Sequence, residues 1–179
     1  MPLNKLQKYP DLLEILHLSP DTRDEVLRSV FNRDIEDNPD FSFRKKRIYP
    51  IKSDGKIDMD RQFMHLTREE VTEEDENGRK YPKRVFDRHR SMRLHWIRHH
   101  IEERLPDKIE VFSVMERDMK WRKDLIKTYI YDSDEKYIIV LEPHRSGTGY
   151  YLLSAYYLNR SYGVKGIKKK LKKRLPDVY

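Results

Sequence analysis

The residues best suited to acid–base chemistry in this 179-residue chain form a histidine group near position 97. Histidine titrates closer to neutral pH than any other side chain, which suits it to proton transfer. His95 and His99 are four residues apart, so a helix would carry both on one flank. Arg93 and Arg98 lie beside them and could neutralise an anion. The alternative is a solvated helical face with no chemical role.

A second group of polar side chains lies in the aromatic segment Tyr150–Leu158. Its composition predicts a strand in which Ser154 and Tyr156 share one face with Tyr150 and Leu152. A serine and a tyrosine two residues apart can both hydrogen-bond one phosphate, and a tyrosine can stack on a base. The alternative is a half-buried strand whose tyrosine hydroxyls reach solvent.

Three further residues could contact phosphates. Lys127 and Tyr129 would project from the open face of a strand over 125–131, where a cation beside an aromatic ring suits phosphate contact and base stacking. Arg145 lies in a glycine-containing loop that could approach a phosphate with backbone N–H groups. An ordinary surface strand and a flexible hairpin tip are the alternatives.

The net positive charge is concentrated at the carboxyl end. Arg160 to Tyr179 hold eight Lys or Arg and one acid, which accounts for the whole net charge of +7 and leaves thirty of each sign before it. A neutral body with a cationic end favours a polyanionic partner, with Lys168, Lys169 and Lys172 as predicted contacts. A merely solvated lysine face is the alternative.

Several classes of site are disfavoured. The chain has no cysteine, so disulfides and thiolate metal sites are excluded. His95 and His99 have zinc-like spacing, but Glu102 is the only nearby acid on that flank, and we predict no metal and no cofactor. A two-carboxylate nuclease using Asp107 and Asp134 is disfavoured because the spacing is generic. No apolar stretch approaches a membrane span, so we expect a cytoplasmic protein without a membrane partner.

The elements that must position these residues indicate an α+β protein. Apolar spacing predicts a short helix at 10–17, then a helix from Ser19 to about Ile35. A β-hairpin (41–51 with 56–66), a charged loop or frayed helix (68–80) and a helix (87–105) follow. Four strands with short connections, and hence antiparallel neighbours, are predicted at 109–115, 125–131, 136–142 and 150–158, before a closing basic helix. We expect two domains, residues 1–83 with helices, a hairpin and unknown role, and residues 84–179.

The second half resembles a known family. Arg88-His-Arg90 and Arg93-Leu-His-Trp-Ile97 are followed by a Tyr137-Ile-Ile-Val-Leu141 strand, Tyr150-Tyr-Leu-Leu-Ser-Ala-Tyr156 and a lysine-rich helix. This order is similar to the phage-borne nucleases of the barnase–EndoU–colicin–RelE superfamily, over about residues 84–175.

The resemblance implies a helix packed on a four-stranded antiparallel sheet. It also implies metal-independent RNA cleavage through a 2′,3′-cyclic phosphate, using a histidine or basic group on the helix and a hydroxyl pair near the last strand. Ser154 and Tyr156 match that pair, although the family often has threonine at the serine position.

The leading hypothesis is therefore an endoribonuclease, phage-borne or toxin-like. His95 or His99 would act as base or acid, Arg93, Arg98 and Arg145 would hold phosphate, and Ser154 and Tyr156 would complete the site. RNA is the favoured partner, with an acidic antitoxin or immunity protein as a second partner. A non-catalytic RNA- or DNA-binding module and a protein-interaction domain that docks an acidic partner are the alternatives.

Overall fold

A computed structural model describes residues 9–53, 55–119 and 122–179 of the chain. Those residues contain five α-helices and ten strands, together with a π-helical turn at Asn32–Glu36 and a 3₁₀ turn at Pro106–Lys108. The helices are α1 (Pro20–Phe31), α2 (Met59–Thr67), α3 (Arg88–Ser91), α4 (Trp96–Ile101) and α5 (Ser161–Lys172). The strands are β1 (Ser42–Phe43), β2 (Lys46–Tyr49), β3 (Lys52–Ser53), β4 (Lys56–Ile57), β5 (Arg68–Glu74), β6 (Lys80–Phe86), β7 (Ile109–Asp118), β8 (Lys123–Asp132), β9 (Tyr137–Pro143) and β10 (Gly149–Tyr157).

The central sheet has six strands in the order β1-β2-β10-β9-β8-β7. Neighbours from β7 to β10 are antiparallel, as their short connections predict, but β2 runs parallel to β10 through Gly149–Tyr151. The α+β class is confirmed. The expected four-stranded antiparallel sheet is replaced by a mixed sheet of six strands, because β1 and β2 add to the edge of β10.

Each face of the sheet has its own hydrophobic cluster. One face, here called the helical face, packs α1 and α4 against Ile139 and Leu141 through Phe31 and Ile97. The opposite face, here called the α5 face, packs Ile167 of α5 against a second cluster. Val164 and Leu171 also pack there, as their helical spacing predicts. Since α5 covers part of this face, the side of the strand that carries Lys127 and Tyr129 is not open as expected.

The helix predicted over 87–105 is interrupted. It divides into α3 and α4, joined by i→i+3 hydrogen bonds such as Leu94 N to Ser91 O and Trp96 N to Arg93 O. Tertiary bonds fix the interruption, since the Ser91 hydroxyl donates to the Thr67 carbonyl and the Tyr137 hydroxyl donates to the Arg93 carbonyl. Packing has therefore overridden the local helical pattern.

The charged segment expected as a loop or frayed helix forms most of a β-hairpin. The strands β5 and β6 pair antiparallel from Arg68↔Phe86 to Glu74↔Lys80. Glu73 on one strand accepts a hydrogen bond from Lys83 on the other at 3.0 Å. Opposite charges on facing strands stabilise such a ribbon. The left-handed φ of 76° at Gly78 closes the turn.

Two N-terminal predictions need correction. The expected hairpin of 41–51 with 56–66 is reduced to the short pair β3 and β4, because Asp58 caps a helix from Met59 onward by accepting from the Arg61 N–H at 2.9 Å. Residue 54, which lies between the two expected strands, is outside the described residues. Residues 10–15 were expected to be helical but form no helix. They lie beside the end of α3, where Leu13 N donates to Met92 O.

None of the helices in the described part of the chain is long and apolar enough to cross a membrane.

Candidate functional site

The two histidines predicted to transfer protons are held in structural contacts. His95 is buried, and its Nε2 lies 2.8 Å from the Asp11 carbonyl oxygen, which can only accept. Burial lowers the pKa of His95. Burial and the neighbouring guanidinium of Arg104 lower the pKa of His99 to about 4, and Arg104 donates to its Nδ1 at 2.9 Å. Both imidazoles are therefore neutral at pH 7.

The predicted hydroxyl pair lies on the opposite face of the sheet from these histidines. A β-bulge at Leu153 shifts the register of β10, so that Leu152 pairs with Leu141 but Ser154 pairs with Val140. Leu141 belongs to the helical-face cluster and Val140 to the α5-face cluster. Ser154 and Tyr156 thus share a face with each other, as predicted, but not with Tyr150 and Leu152.

As a result, the predicted constellation does not assemble. Trp96 and Ile97, the neighbours of His95, pack in the helical-face cluster, whereas Tyr156 packs in the α5-face cluster. The six-stranded sheet lies between the two groups. Neither His95 nor His99 can share a reaction centre with Ser154 and Tyr156 in this arrangement.

Lys127 and Tyr129 belong to a polar network on the α5 face. The Tyr129 hydroxyl donates to Glu116 at 2.6 Å, Lys127 lies 3.3 Å from the same carboxylate, and Lys170 of α5 also bonds it. Burial would raise the pKa of Glu116, but Lys170 and Tyr129 hold it below its usual value. Tyr129 is only 3% exposed, so its ring is not accessible for base stacking. The network ties α5 to β7.

The other predicted phosphate ligands differ in their availability. Arg98 donates to Glu102 at 2.7 Å and lies 3.6 Å from Asp34, so its charge is already neutralised. Arg145 is exposed in the β9–β10 loop. The three lysines predicted on α5 are also exposed: Lys168, Lys169 and Lys172.

A cluster that the predictions only partly included lies where α3 meets the end of β10. We call it the α3 junction, and its members are His89, Arg90, Arg93, Tyr156 and Tyr157. The imidazole of His89 lies 5.3 Å from the Tyr157 ring. Arg93 lies 4.0 Å from the same ring, and Arg90 lies 5.5 Å from the ring of Tyr156.

The end of β10 makes this meeting possible. On its outer side, β10 pairs with β2 through Gly149–Tyr151, and within the described part of the chain no strand flanks its last residues there. The helix α3 packs beside this edge and reaches both faces of the strand. Tyr157 pairs with Tyr137 of the helical-face cluster, whereas Tyr156 pairs with Ile138 of the α5-face cluster. The junction therefore joins the two sides of the sheet.

Local hydrogen bonds hold α3 in position. Asp87 caps the helix by accepting from the backbone N–H of His89 at 2.8 Å and of Arg90 at 3.1 Å. The same carboxylate accepts from the Arg90 side chain, which also donates to the His65 carbonyl. Arg93 donates to the His89 carbonyl at 3.1 Å. These bonds fix the arginines before any ligand binds.

The junction carries positive charge beside groups that can transfer protons. Burial lowers the pKa of Arg93, yet a guanidinium remains charged in proteins. Burial raises the pKa of Tyr156, so its hydroxyl stays protonated and can donate at neutral pH. Arg88 donates to Nε2 of His89 at 3.4 Å, which leaves that nitrogen as an acceptor. Such a set can bind a phosphate and move a proton.

Sequence reasoning included Arg93 and Tyr156 but did not propose His89 for catalysis. The signal was present, because His89 stands between two arginines directly after the capping residue Asp87. Strict strand alternation places Tyr157 on the opposite face from Tyr156, without a functional role. What the sequence could not provide was the bulge and the free edge of β10, which bring both tyrosines to α3.

No protein-family model, curated protein or solved structure significantly matches this chain. Among residues 9–53, 55–119 and 122–179, no group of three or more His, Asp or Glu side chains is arranged to hold a metal ion.

Proposed function

We propose that this protein is an endoribonuclease that cleaves RNA without a metal ion, and that the α3 junction is its active site. The observation that carries the proposal is the contact of a histidine and two arginines with two tyrosines at the free end of β10. The resemblance of the 84–175 segment to phage-borne nucleases supports the same chemistry.

Attack of the 2′-hydroxyl on the adjacent phosphate requires a base, an acid and cations near the developing charge. In the proposed mechanism, the RNA displaces Arg88 from His89 Nε2, and this nitrogen then accepts the proton of the 2′-hydroxyl. Arg93 stabilises the negative charge on the phosphorane, while Arg90 stays paired with Asp87 and holds α3 beside Tyr156. Tyr156 donates its proton to the leaving 5′-oxygen, and the products are a 2′,3′-cyclic phosphate and a 5′-hydroxyl.

The basic end of the chain is proposed to hold the RNA by charge. Lys168 and Lys169 are exposed on α5, which begins four residues after β10 ends at the α3 junction. An electrostatic contact of this kind adds affinity without sequence selection and weakens with salt. A phage-borne or toxin-like role would fit the resemblance, with an acidic antitoxin or immunity protein as the neutralising partner.

A second candidate is an RNA-binding module at the same junction without catalysis. The observation that favours it is that, among the described residues, His89 is the one imidazole in ring contact with the tyrosines at this end of β10, Tyr156 and Tyr157. Cleavage would require Tyr156 to act as the acid in addition to His89 as the base. Burial raises the pKa of Tyr156, which makes it a poor proton donor. A scaffold with one effective proton-transfer group would bind RNA and not cleave it.

The test uses end-labelled RNA and purified protein, with and without a chelator. Cleavage that survives the chelator and leaves a 2′,3′-cyclic phosphate is the expected result. Arg93→Ala should reduce both binding and cleavage, and Tyr156→Phe should reduce cleavage alone. Binding without cleavage would favour the second candidate, and no RNA binding at moderate salt would refute both.

A further inference from the structure

The opposite end of β10 carries three aromatic rings in contact, one pair stacked and one pair tilted, which we call the aromatic platform: Tyr49, His144 and Tyr151. The ring of His144 lies 5.1 Å from that of Tyr49 at an interplanar angle of 23°, and 4.1 Å from that of Tyr151. Tyr49 is 38% exposed, so part of its ring remains accessible from solvent. None of the three rings contributes to the α3 junction.

The close packing of the platform depends on a glycine. A Cβ at Gly149 would lie 2.8 Å from the Arg47 carbonyl oxygen, 2.9 Å from Tyr49 Cε2 and 3.4 Å from His144 Nδ1. Contacts under 3.0 Å do not occur for real side chains, so the rings could not keep this arrangement beside alanine. Gly149 therefore lets β2 and the β9–β10 loop approach closely enough to stack the rings.

A cavity of about 310 Å³ adjoins the platform on the part of the α5 face near Tyr151. The bulge residue Leu153 and the ring of Tyr151 supply apolar lining, and two lysines and two acids supply polar lining: Lys52, Lys123, Asp118 and Glu142. Cations beside aromatic rings suit a nucleotide, because the rings stack on the base while the cations meet the phosphates. The carboxylate of Glu142 could accept a hydrogen bond from an amino group of the base, as in contacts to cytosine.

The platform and the α3 junction are the two ends of one strand. Tyr151 and Tyr156 are five residues apart on β10, a separation of about 16 Å at 3.3 Å per residue. A stacked nucleic-acid strand advances about 3.4 Å per nucleotide, so about five nucleotides would span this distance. One single strand of RNA could therefore contact both ends at once.

We propose that the aromatic platform is a base-stacking subsite for single-stranded RNA whose cleaved phosphate binds at the α3 junction. The inference rests on the proposed function and adds a minimum substrate length to it. RNA too short to reach from one end of β10 to the other would bind only one of the two sites. A duplex would bind poorly, because its bases are already stacked on each other.

The test measures fluorescence anisotropy with labelled 2′-O-methyl oligoribonucleotides of three and twelve residues, which lack the hydroxyl needed for cleavage. Tyr49→Ala should weaken binding of the 12-mer by about 5- to 150-fold, the effect typical of losing one stacked base. It should leave binding of the 3-mer at the α3 junction unchanged. Tyr49→Trp should retain the affinity for the 12-mer, because the indole offers a larger stacking surface.

The matched control is Tyr81→Ala, since Tyr81 is 40% exposed but lies on the β5–β6 hairpin away from the platform. It should change neither affinity. Arg93→Ala should weaken both oligonucleotides. If Tyr49→Ala binds the 12-mer as tightly as Tyr81→Ala does while Arg93→Ala still weakens both, the subsite is refuted and the proposed function stands. If Arg93→Ala weakens neither, the proposed function fails and the subsite fails with it.

Discussion

A buried imidazole–carboxylate contact joins α4 to the end of β8 and offers a sharp test of the fold. The side chains of His100 and Asp132 are both 0% exposed, and His100 Nε2 lies 3.4 Å from Asp132 Oδ2. The other imidazole nitrogen, Nδ1, lies 2.8 Å from the Trp96 carbonyl and so carries a proton. The second oxygen of Asp132 accepts from the Glu135 N–H at 2.9 Å. One oxygen of the carboxylate is thus hydrogen-bonded, and the other faces the imidazole at ion-pair distance.

The substitution Asp132→Asn removes the negative charge but keeps an oxygen that can accept from Glu135. Losing one member of a buried charge pair costs about 3–5 kcal/mol when the other charge stays buried without a partner. Because the two groups are 3.4 Å apart, we expect a smaller loss of about 2 kcal/mol, which is within the range for a polar interaction with a charged group. For a chain of this size, that corresponds to a fall of about 4–8 °C in Tm.

The loss should depend on pH in a defined direction. Burial alone would raise the pKa of Asp132, but His100 and the Glu135 N–H hold it below its usual value. A carboxylate with a depressed pKa contributes stability that is complete above its unfolded pKa of about 3.9. That contribution is lost as the pH falls through the folded value. The difference between wild type and Asp132→Asn should therefore shrink below about pH 4.

Urea denaturation followed by far-UV circular dichroism, at pH 7 and at acidic pH, measures both effects. The matched control is Asp134→Asn, because Asp134 lies two residues away but is 62% exposed in its pair with Lys108. Exposed pairs contribute little, so this variant should match wild type. The reasoning is refuted if Asp132→Asn is as stable as Asp134→Asn at pH 7, or if its deficit grows on acidification.

Two further predictions concern Gly149 and the basic helix. Gly149→Ala should lower the free energy of unfolding by about 1–3 kcal/mol, because the added Cβ meets the Arg47 carbonyl at 2.8 Å. The control is Gly166→Ala in α5, where nothing lies within 4 Å of the added Cβ, and it should raise the free energy of unfolding by up to about 1 kcal/mol. Urea denaturation measures both variants, and equal effects would contradict the close packing at Gly149. Replacing three α5 lysines together by glutamine should flatten the slope of log Kd against log salt by about 2, and an unchanged slope would exclude contact between α5 and the RNA backbone. These lysines are Lys168, Lys169 and Lys172.

The strands of the second half were predictable because several local signals agree there. Each of β7 to β10 is within three residues of its predicted bounds at either end, and the neighbours pair antiparallel. Short polar connections such as Asp132–Glu135 allow no other pairing. The inner face of α5 followed from its helical spacing for the same reason.

The positions of the site residues were less predictable because they depend on irregular backbone. One bulge at Leu153 moves Ser154 and Tyr156 away from the face of Leu152. Strict alternation cannot reveal such an insertion. In the same way, tertiary bonds to Ser91 and Tyr137 interrupt the helix that carries the histidines.

A loop or frayed helix was predicted where β5 and β6 form a hairpin, although the sequence contains a turn motif and a charge pattern typical of a hairpin. Asn77-Gly78 is a strong turn sequence, and acidic residues precede it while basic residues follow it. Read as a linear charge run, the segment indicates a solvated loop. Read as two facing strands, it gives the cross-strand pairs seen between Glu73 and Lys83 and between Glu70 and Arg84.

The most direct test of the central claim compares RNA cleavage by His89→Ala and His99→Ala. Both histidines are partly buried beside an arginine, but only His89 lies at the α3 junction. We expect wild type to cleave RNA in the presence of chelator, His99→Ala to match it, and His89→Ala to lose about 100-fold or more of the rate. Loss of cleavage in folded His99→Ala with His89→Ala unaffected would contradict the assignment of the active site to the α3 junction.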